Sequence, residues 1–219
     1  MKVLGRAELL DVALSWPVVE STVLAHGAIT DFVQDEVRTP DGSTVKREYV
    51  KHPGAVAVIA LDDEERVALV RQYRHPVRHR LVEPPAGLLD VEGEDYLVGV
   101  QRELAEEVDL AAGRWHVLVD LFSTPGILGE SLRIYLARDL STASAPEDFV
   151  REGEEADMDV VWASLTDLVD AVLAGQLHSP SLVSGVLAAE VSRQRGWASL
   201  RPADAPWPAR EKLLAAQHG

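Results

Sequence analysis

Gln101–Leu110 reads QRELAEEVDL, four acidic residues and one arginine in ten positions. Glu103, Glu106 and Glu107 stand at spacings i, i+3 and i+4, which on an α-helix puts three carboxylates on one face. Like charges at Glu103 and Glu107 repel, weakening such a helix by roughly 0.2–0.5 kcal/mol. A solvated helix face is the ordinary meaning of a run like this. A cation held between the carboxylates is the alternative, and the flanking sequence has to decide. Leu97, Val100, Leu104 and Val108 recur at three- and four-residue intervals opposite the acids, so the spacing predicts an amphipathic helix over 95–110.

Working outward, strand-like and helix-like segments alternate. ITDFVQDEVRTPDGSTVKREYVKH (29–52) reads as two strands around Pro40-Asp41-Gly42, a hairpin signal, and SWPVVESTVLAHG offers a short strand before it. The first fifty residues are therefore expected to form a small antiparallel sheet. GAVAVIAL and RVALVRQYR follow as core strands separated by DDEE. After the acidic helix, RWHVLVDLFS, SLRIYLARDL and MDVVWASL return to strand pattern. TDLVDAVLAG and SPSLVSGVLAAEVSRQRG read as helices with Gly stops and a Ser-Pro start. Strands with helices at separated places predict an α/β layered fold. RPADAPWPAR opens a Pro-rich stretch that reads as a loosely held tail.

Bulk properties narrow the function. The chain has 219 residues, 47% hydrophobic and 26% charged, enough to bury a sizeable core in one domain with a small appendage. With no cysteine, disulfides and thiolate metal sites are excluded. No apolar run reaches the ~18 residues of a membrane span, so no membrane partner is expected. The N-terminus lacks the pattern of a secretory signal, and a cytoplasmic location is expected. A formal net charge of −15 argues against a nucleic-acid partner, whose phosphates are bound by clustered Lys and Arg. An anionic small molecule would instead need a local positive patch or a bound cation.

Immediately upstream of the helix stands EPPAGLLDVEGED (83–95), a Pro-Pro-Ala-Gly turn followed by an acidic loop. Taken as one unit, GLLDVEGEDYLVGVQRELAEEVDL resembles the Nudix box, the loop-helix-loop signature of hydrolases that cleave nucleoside diphosphates linked to another moiety. That pattern runs Gly, five residues, Glu, seven residues, then Arg-Glu-apolar-x-Glu-Glu-x-Gly-apolar. Glu94 stands seven residues before Arg102, and Arg102-Glu103-Leu104-Ala105-Glu106-Glu107 matches residue for residue. Two positions depart from it. Counted back from Arg102, the opening Gly falls on Leu88, and Gly87 supplies it only if the loop carries one extra residue. The closing Gly is Asp109, which tolerates the left-handed backbone of a helix C-cap better than most residues. Neither removes a carboxylate. Independently, Mg²⁺ takes oxygen ligands and commonly joins carboxylates to substrate phosphates.

The resemblance implies a Nudix α/β/α sandwich with an N-terminal antiparallel β-sheet, residues 1–50 serving dimerisation, 51–200 the hydrolase domain and 201–219 the tail. It implies Mg²⁺, or Mn²⁺, held by Glu103, Glu106, Glu107 and the backbone oxygen of Ala86, with Glu106 also a catalytic candidate. A salt bridge between Glu94 and Arg102 would hold the loop on the helix. Within the superfamily the chain is most similar to ADP-ribose pyrophosphatases, a similarity running from about Ala28 to Gly185. Pro125 lies sixteen residues beyond Asp109, as in that subfamily, and QYR, ending at Arg74, lies directly before the box. Arg74, Glu83, Pro125 and Glu130 are accordingly the implied substrate-binding residues. The subfamily's general base comes from a loop after the box, which points to Glu155 or its neighbour Glu154 in EEADM. The implied reaction is hydrolysis of ADP-ribose to AMP and ribose 5-phosphate by a homodimer. Hydrolysis of other nucleoside diphosphate sugars such as ADP-glucose or GDP-mannose is the first alternative. A non-catalytic ADP-ribose-binding regulator is the second.

Overall fold

The computed structural model describes residues 1–91, 93–143 and 158–218. They form two compact units, Met1–Lys51 with the chain from Pro206 onward, and His52–Ala205.

In the first unit, strands β1 (Val18–His26), β2 (Asp31–Arg38) and β3 (Thr44–Lys51) make an antiparallel meander. The turn between β2 and β3 is the one that Pro40-Asp41-Gly42 predicts. Asp41 Oδ1 accepts from Thr39 Oγ1 at 2.6 Å and from the Ser43 N–H at 3.0 Å, while Gly42 takes a positive φ of 86°. Every residue of β1 is exposed, and at nine residues it is longer than the short strand expected.

The second unit is built on a sheet of β4 (Ala55–Leu61), β5 (Arg66–Arg74), β6 (His79–Glu83), β7 (Ala86–Leu88), β8 (Leu110–Phe122), β10 (Ser131–Thr142), β11 (Asp159–Ser164) and β12 (Arg201–Pro202), with a two-residue strand β9 (Leu128–Gly129) in the loop before β10. Strand order is β11-β5-β4-β10-β8-β12. β4 runs parallel to β10 and antiparallel to β5. Three helices cover it: α1 (Tyr96–Val108), α2 (Leu165–Leu173) and α3 (Pro180–Gln194).

The near-continuous apolar sequence of β4 follows from burial on both faces. Val56, Val58 and Ala60 join Val100, Leu104 and Val108 of α1 in one core cluster. Ala57, Ile59 and Leu61 join Leu165 and Leu168 of α2 and Leu182, Val186 and Ala189 of α3 in the other. The result is the α/β/α sandwich expected from the sequence. Gly185 lets α3 approach closely, since a Cβ there would lie 2.8 Å from Ile59 Cδ1.

One departure from simple pairing creates the site. β5 contacts β4 only at Ala60↔Ala68 and Leu61↔Val67, then leaves it to pair with β6. The vacated edge of β4 is taken by β7, with Ala57↔Ala86 and Ala55↔Leu88, and Val58 N–H donates to Pro85 O at 2.9 Å. The Pro-Pro-Ala-Gly turn is thereby seated beside the middle of the central strand.

The stretch from 201 is not a loose tail among the described residues. Arg201–Pro202 pairs with β8, and Pro208–His218 forms a helix, α4, with Trp207 and Arg210 buried. Proline is well placed at the first turn of α4, where its missing N–H breaks no hydrogen bond. Lys51 Nζ donates to Gln217 O at 3.4 Å, and the segment from Pro206 groups with the first unit.

Candidate active site

α1 is the predicted helix, and its ends are set by two aspartates. The Asp95 carboxylate accepts from the Leu97 N–H at 2.8 Å, and Asp109 closes the helix at φ 56°, ψ 38°, a left-handed cap without glycine. Val100, Leu104 and Val108 face the sheet. Glu106 and Glu107 are nonetheless buried, at 9% and 6% exposure, and Glu103 is half-buried. The acidic face of this helix is therefore not a solvated one.

Burying like charges together is costly unless a cation or hydrogen-bond donors compensate them. Part of the compensation is Arg102. Its Nη1 lies 2.7 Å from Glu103 Oε1 and donates to Glu106 Oε2 at 3.0 Å, and its Nε donates to Glu94 Oε1 at 3.4 Å. Burial works against the charge on Arg102, but Glu103, Glu94 and Glu106 raise its pKa above the ordinary guanidinium value, so it remains a cation. Sequence reasoning paired Arg102 with Glu94 alone; the guanidinium serves three carboxylates.

Glu107 points elsewhere. Its Oε2 accepts from the backbone N–H of Ala86 at 2.9 Å, tying α1 to β7. Beside it, Gly87 is packed against Glu103 so closely that a Cβ would sit 2.1 Å from Glu103 Oε1. Gly87 is thus the residue the close approach requires, while Leu88 continues the strand.

The donor set suits a hard divalent cation. Glu94, Glu103, Glu106 and Glu107 carry four negative charges against the single positive charge of Arg102, all through oxygen. Glu94 Oε2 is buried with no hydrogen-bond partner among the described residues. No three His, Asp or Glu side chains among the described residues form a closed ion cage. The carboxylates turn instead toward Arg102 and the Ala86 amide. Glu103, Glu106 and Glu107 are the side chains available to hold such a cation.

The other sequence candidates take these places. Glu83 is buried and accepts from Gln72 Nε2 at 2.8 Å and from Arg74 Nη2 at 2.8 Å and Nε at 3.1 Å. Arg74 and Glu83 are therefore partners of one another, with the Arg74 side chain 43% exposed. Pro125 is exposed in the loop between β8 and β10. Glu130 closes that loop, accepting from Ser123 Oγ through Oε2 and lying 3.5 Å from His52 Nδ1 through Oε1. Gln72, Ser123 and His52 were not singled out in the sequence, where a lone polar residue near an apolar run carries no signal. Glu154 and Glu155 lie outside the described residues.

Comparison with known proteins gives the class. The NUDIX domain matches residues 51–182. The chain belongs to this family and is a Nudix hydrolase; hydrolases of this family are generally dependent on a divalent metal. Among relatives, it is 43% identical over 199 residues to the ADP-ribose pyrophosphatase of Mycobacterium tuberculosis (strain ATCC 25618 / H37Rv), covering 91% of this chain and 94% of that one. It is 32% identical over 168 residues to the methanol dehydrogenase activator of Bacillus methanolicus, covering 77% and 89%. A crystal structure of an ADP compounds hydrolase superposes with a TM-score of 0.68 over 85% of this chain and 99% of that one; at 20% identity, this likeness speaks for the fold.

Proposed function

We propose that this protein hydrolyses ADP-ribose to AMP and ribose 5-phosphate in the presence of Mg²⁺ or Mn²⁺. The observation that carries the reading is the complete glutamate set of α1, with Glu106 and Glu107 buried, Glu103 half-buried and Glu107 joined to β7, in a chain 43% identical to an ADP-ribose pyrophosphatase along most of its length.

The net change is addition of one water across the P–O–P bridge. Glu103, Glu106 and Glu107 would hold the cation with the Ala86 carbonyl oxygen. When bound, the cation supplies charge neutralisation on the diphosphate and lowers the pKa of a coordinated water. Arg102 bridges Glu94, Glu103 and Glu106 and offsets part of their mutual repulsion. Arg74, paired with Glu83, which Gln72 also holds, offers its exposed guanidinium edge to a phosphate. Pro125, in an exposed loop two strands away, is the candidate for contacts with the non-reacting part of the substrate. Glu155 or Glu154 would orient and deprotonate the attacking water, since glutamates committed to a cation are poor proton acceptors.

We further infer a homodimer of a cytoplasmic enzyme, joined through the N-terminal unit. β1 exposes Val18, Val19, Val23 and Leu24, and the segment before it exposes Leu10 and Trp16, apolar side chains that an interface would cover. A second copy of the chain is the occupant that fits. No described helix is long and apolar enough to cross a membrane.

The experiment is a hydrolysis panel of ADP-ribose, ADP-glucose, GDP-mannose, NADH and diadenosine polyphosphates, with products separated by chromatography. ADP-ribose is expected to have the highest kcat/KM; a higher value for GDP-mannose or ADP-glucose would move the assignment to the wider class of nucleotide-sugar hydrolases.

A further inference from the structure

The chain carries 21 Lys and Arg against 36 Asp and Glu, yet 71–80, RQYRHPVRHR, holds four arginines, two histidines and no acid. This stretch is the end of β5, the start of β6 and the turn between them, and residues 75–80 are all exposed. A protein of net charge −15 repels a diphosphate from most of its surface. This hairpin is a local exception.

Carboxylates offset the arginines of the strands. Asp159 Oδ2 accepts from Arg71 Nη2 at 2.7 Å and from Arg80 Nη2 at 3.0 Å, and Glu83 accepts from Arg74. The tip differs. Arg78 has no carboxylate partner among the described residues, and its Nη1 lies 3.5 Å from His75 Nδ1. Arg78 also takes a positive φ of 56°, a backbone that glycine or asparagine adopts more easily than arginine. The turn thus carries its guanidinium against local preference. It closes directly on Arg74, with the Val77 N–H donating to Arg74 O and the Arg78 N–H to His75 O, both at 3.2 Å. His79 pairs with Arg74 across the ladder and shares its sheet face with Gln72 and Glu83. Opposite residues of an antiparallel pair stand about 5 Å apart, which puts Arg78, one residue further along, within roughly 10 Å of Arg74.

We infer that the tip of the β5–β6 hairpin is an electrostatic guide for the substrate: Arg78 attracts the doubly charged diphosphate of the incoming nucleotide and delivers it to Arg74. The inference rests on the reading of the site as a nucleoside diphosphate hydrolase. A charge that acts on the encounter shows in kcat/KM and in its salt dependence, and leaves kcat as it was. The same charge remote from the site would not serve. Arg195 provides the comparison: it is exposed, and Arg193, two residues before it, bonds to Glu65 at the opposite end of β5. The nine residues of β5 span roughly 30 Å between there and Arg74.

The test measures kcat and KM for ADP-ribose at one fixed Mg²⁺ concentration and at ionic strengths of about 0.01 M and about 0.5 M, between which the Debye length falls from roughly 30 Å to a few ångströms. Full-length wild type, Arg78→Asn, Arg78→Lys and Arg195→Asn are compared, with Tm measured for each. Arg78→Asn is expected to lower kcat/KM about threefold at low ionic strength and to come within about 1.3-fold of wild type at high, the effect of one charge on two at about 10 Å in water, with kcat unchanged. Asparagine suits the left-handed turn, so the Tm of this variant should equal or exceed that of wild type, which separates loss of charge from loss of structure. Arg78→Lys, which keeps the charge, and Arg195→Asn, which removes one elsewhere, should both match wild type. The guide is overturned if Arg78→Asn keeps its kcat/KM at low ionic strength, if its loss persists at high, or if Arg78→Lys or Arg195→Asn loses as much. Absence of ADP-ribose hydrolysis by the wild type would instead overturn the functional reading beneath it.

Discussion

The backbone N–H of Ala86 donates to Glu107 Oε2 at 2.9 Å, so a buried glutamate of α1 is fastened to the strand that lies along β4. This single bond fixes the register between the helix carrying the carboxylates and the turn carrying the expected carbonyl ligand. It also satisfies a donor on a half-buried strand.

Gly87→Ala is expected to damage the site from the strand side. The added methyl would sit 2.1 Å from Glu103 Oε1, so Glu103 or β7 has to move. Overpacking of this kind costs roughly 1–3 kcal/mol, a fall in Tm of about 2–4 °C per kcal/mol for a protein of this size. Calorimetry in EDTA checks it, and isothermal titration with Mg²⁺ should show weaker binding by the variant.

Arg102→Gln should separate the contribution of the guanidinium from that of the Mg²⁺ proposed for the acidic face. Without the guanidinium, Glu94, Glu103 and Glu106 lose their common partner, and the EDTA form should be destabilised by roughly 1.5–3 kcal/mol. Added Mg²⁺ should then raise the Tm of the variant more than that of wild type, because ligand binding to the folded state adds stability by mass action. Equal shifts in both proteins would mean that Arg102 does not compensate the charges that Mg²⁺ meets.

Much of this architecture was legible in the sequence, for local reasons. Leu97, Val100, Leu104 and Val108 announced α1, Pro40-Asp41-Gly42 the β2–β3 turn, and the apolar runs of β4 and β5 a doubly covered sheet. What was hidden depends on distant partners. Nothing local to Ala86–Leu88 says that β5 abandons β4 and leaves an edge for it. The Pro-rich composition at 201–209 concealed α4, whose Arg210 is buried along with Trp207, the residue before the helix. Gln72 acquires a role only because β6 folds back on β5 and brings Glu83 beside it.

The general base is approached by paired substitutions. Glu155→Gln is expected to lower kcat by roughly 10²–10⁴ with little change in KM, and steady-state kinetics on ADP-ribose measures both. If Glu154→Gln carries that loss and Glu155→Gln does not, the base is Glu154; activity in both variants would send the search to another residue.

Tyr49 should make the N-terminal sheet sensitive to alkali. Partial burial, with the charge of Asp35 and the 3.1 Å hydrogen bond that Tyr49 donates to it, pushes the phenol up from 10.0 to about 12. The folded state thus keeps its proton where the unfolded state has lost it, so stability falls as pH rises above about 10 and the contribution is gone above about 12. Urea denaturation at pH 9 and pH 11 tests the sign: wild type should lose stability over this interval, and Tyr49→Phe should lose less.

The most direct measurement is AMP formation from ADP-ribose by wild type and by Glu107→Gln, each with Mg²⁺ and with EDTA. Gln retains an oxygen that can accept from the Ala86 N–H, so the fold should survive, with Tm in EDTA unchanged or slightly raised by removal of one repelling charge. Wild type should form AMP and ribose 5-phosphate only with Mg²⁺, and Glu107→Gln should form almost none. Near-normal, Mg²⁺-dependent hydrolysis by Glu107→Gln would contradict the account, returning the acidic face of α1 to a structural role.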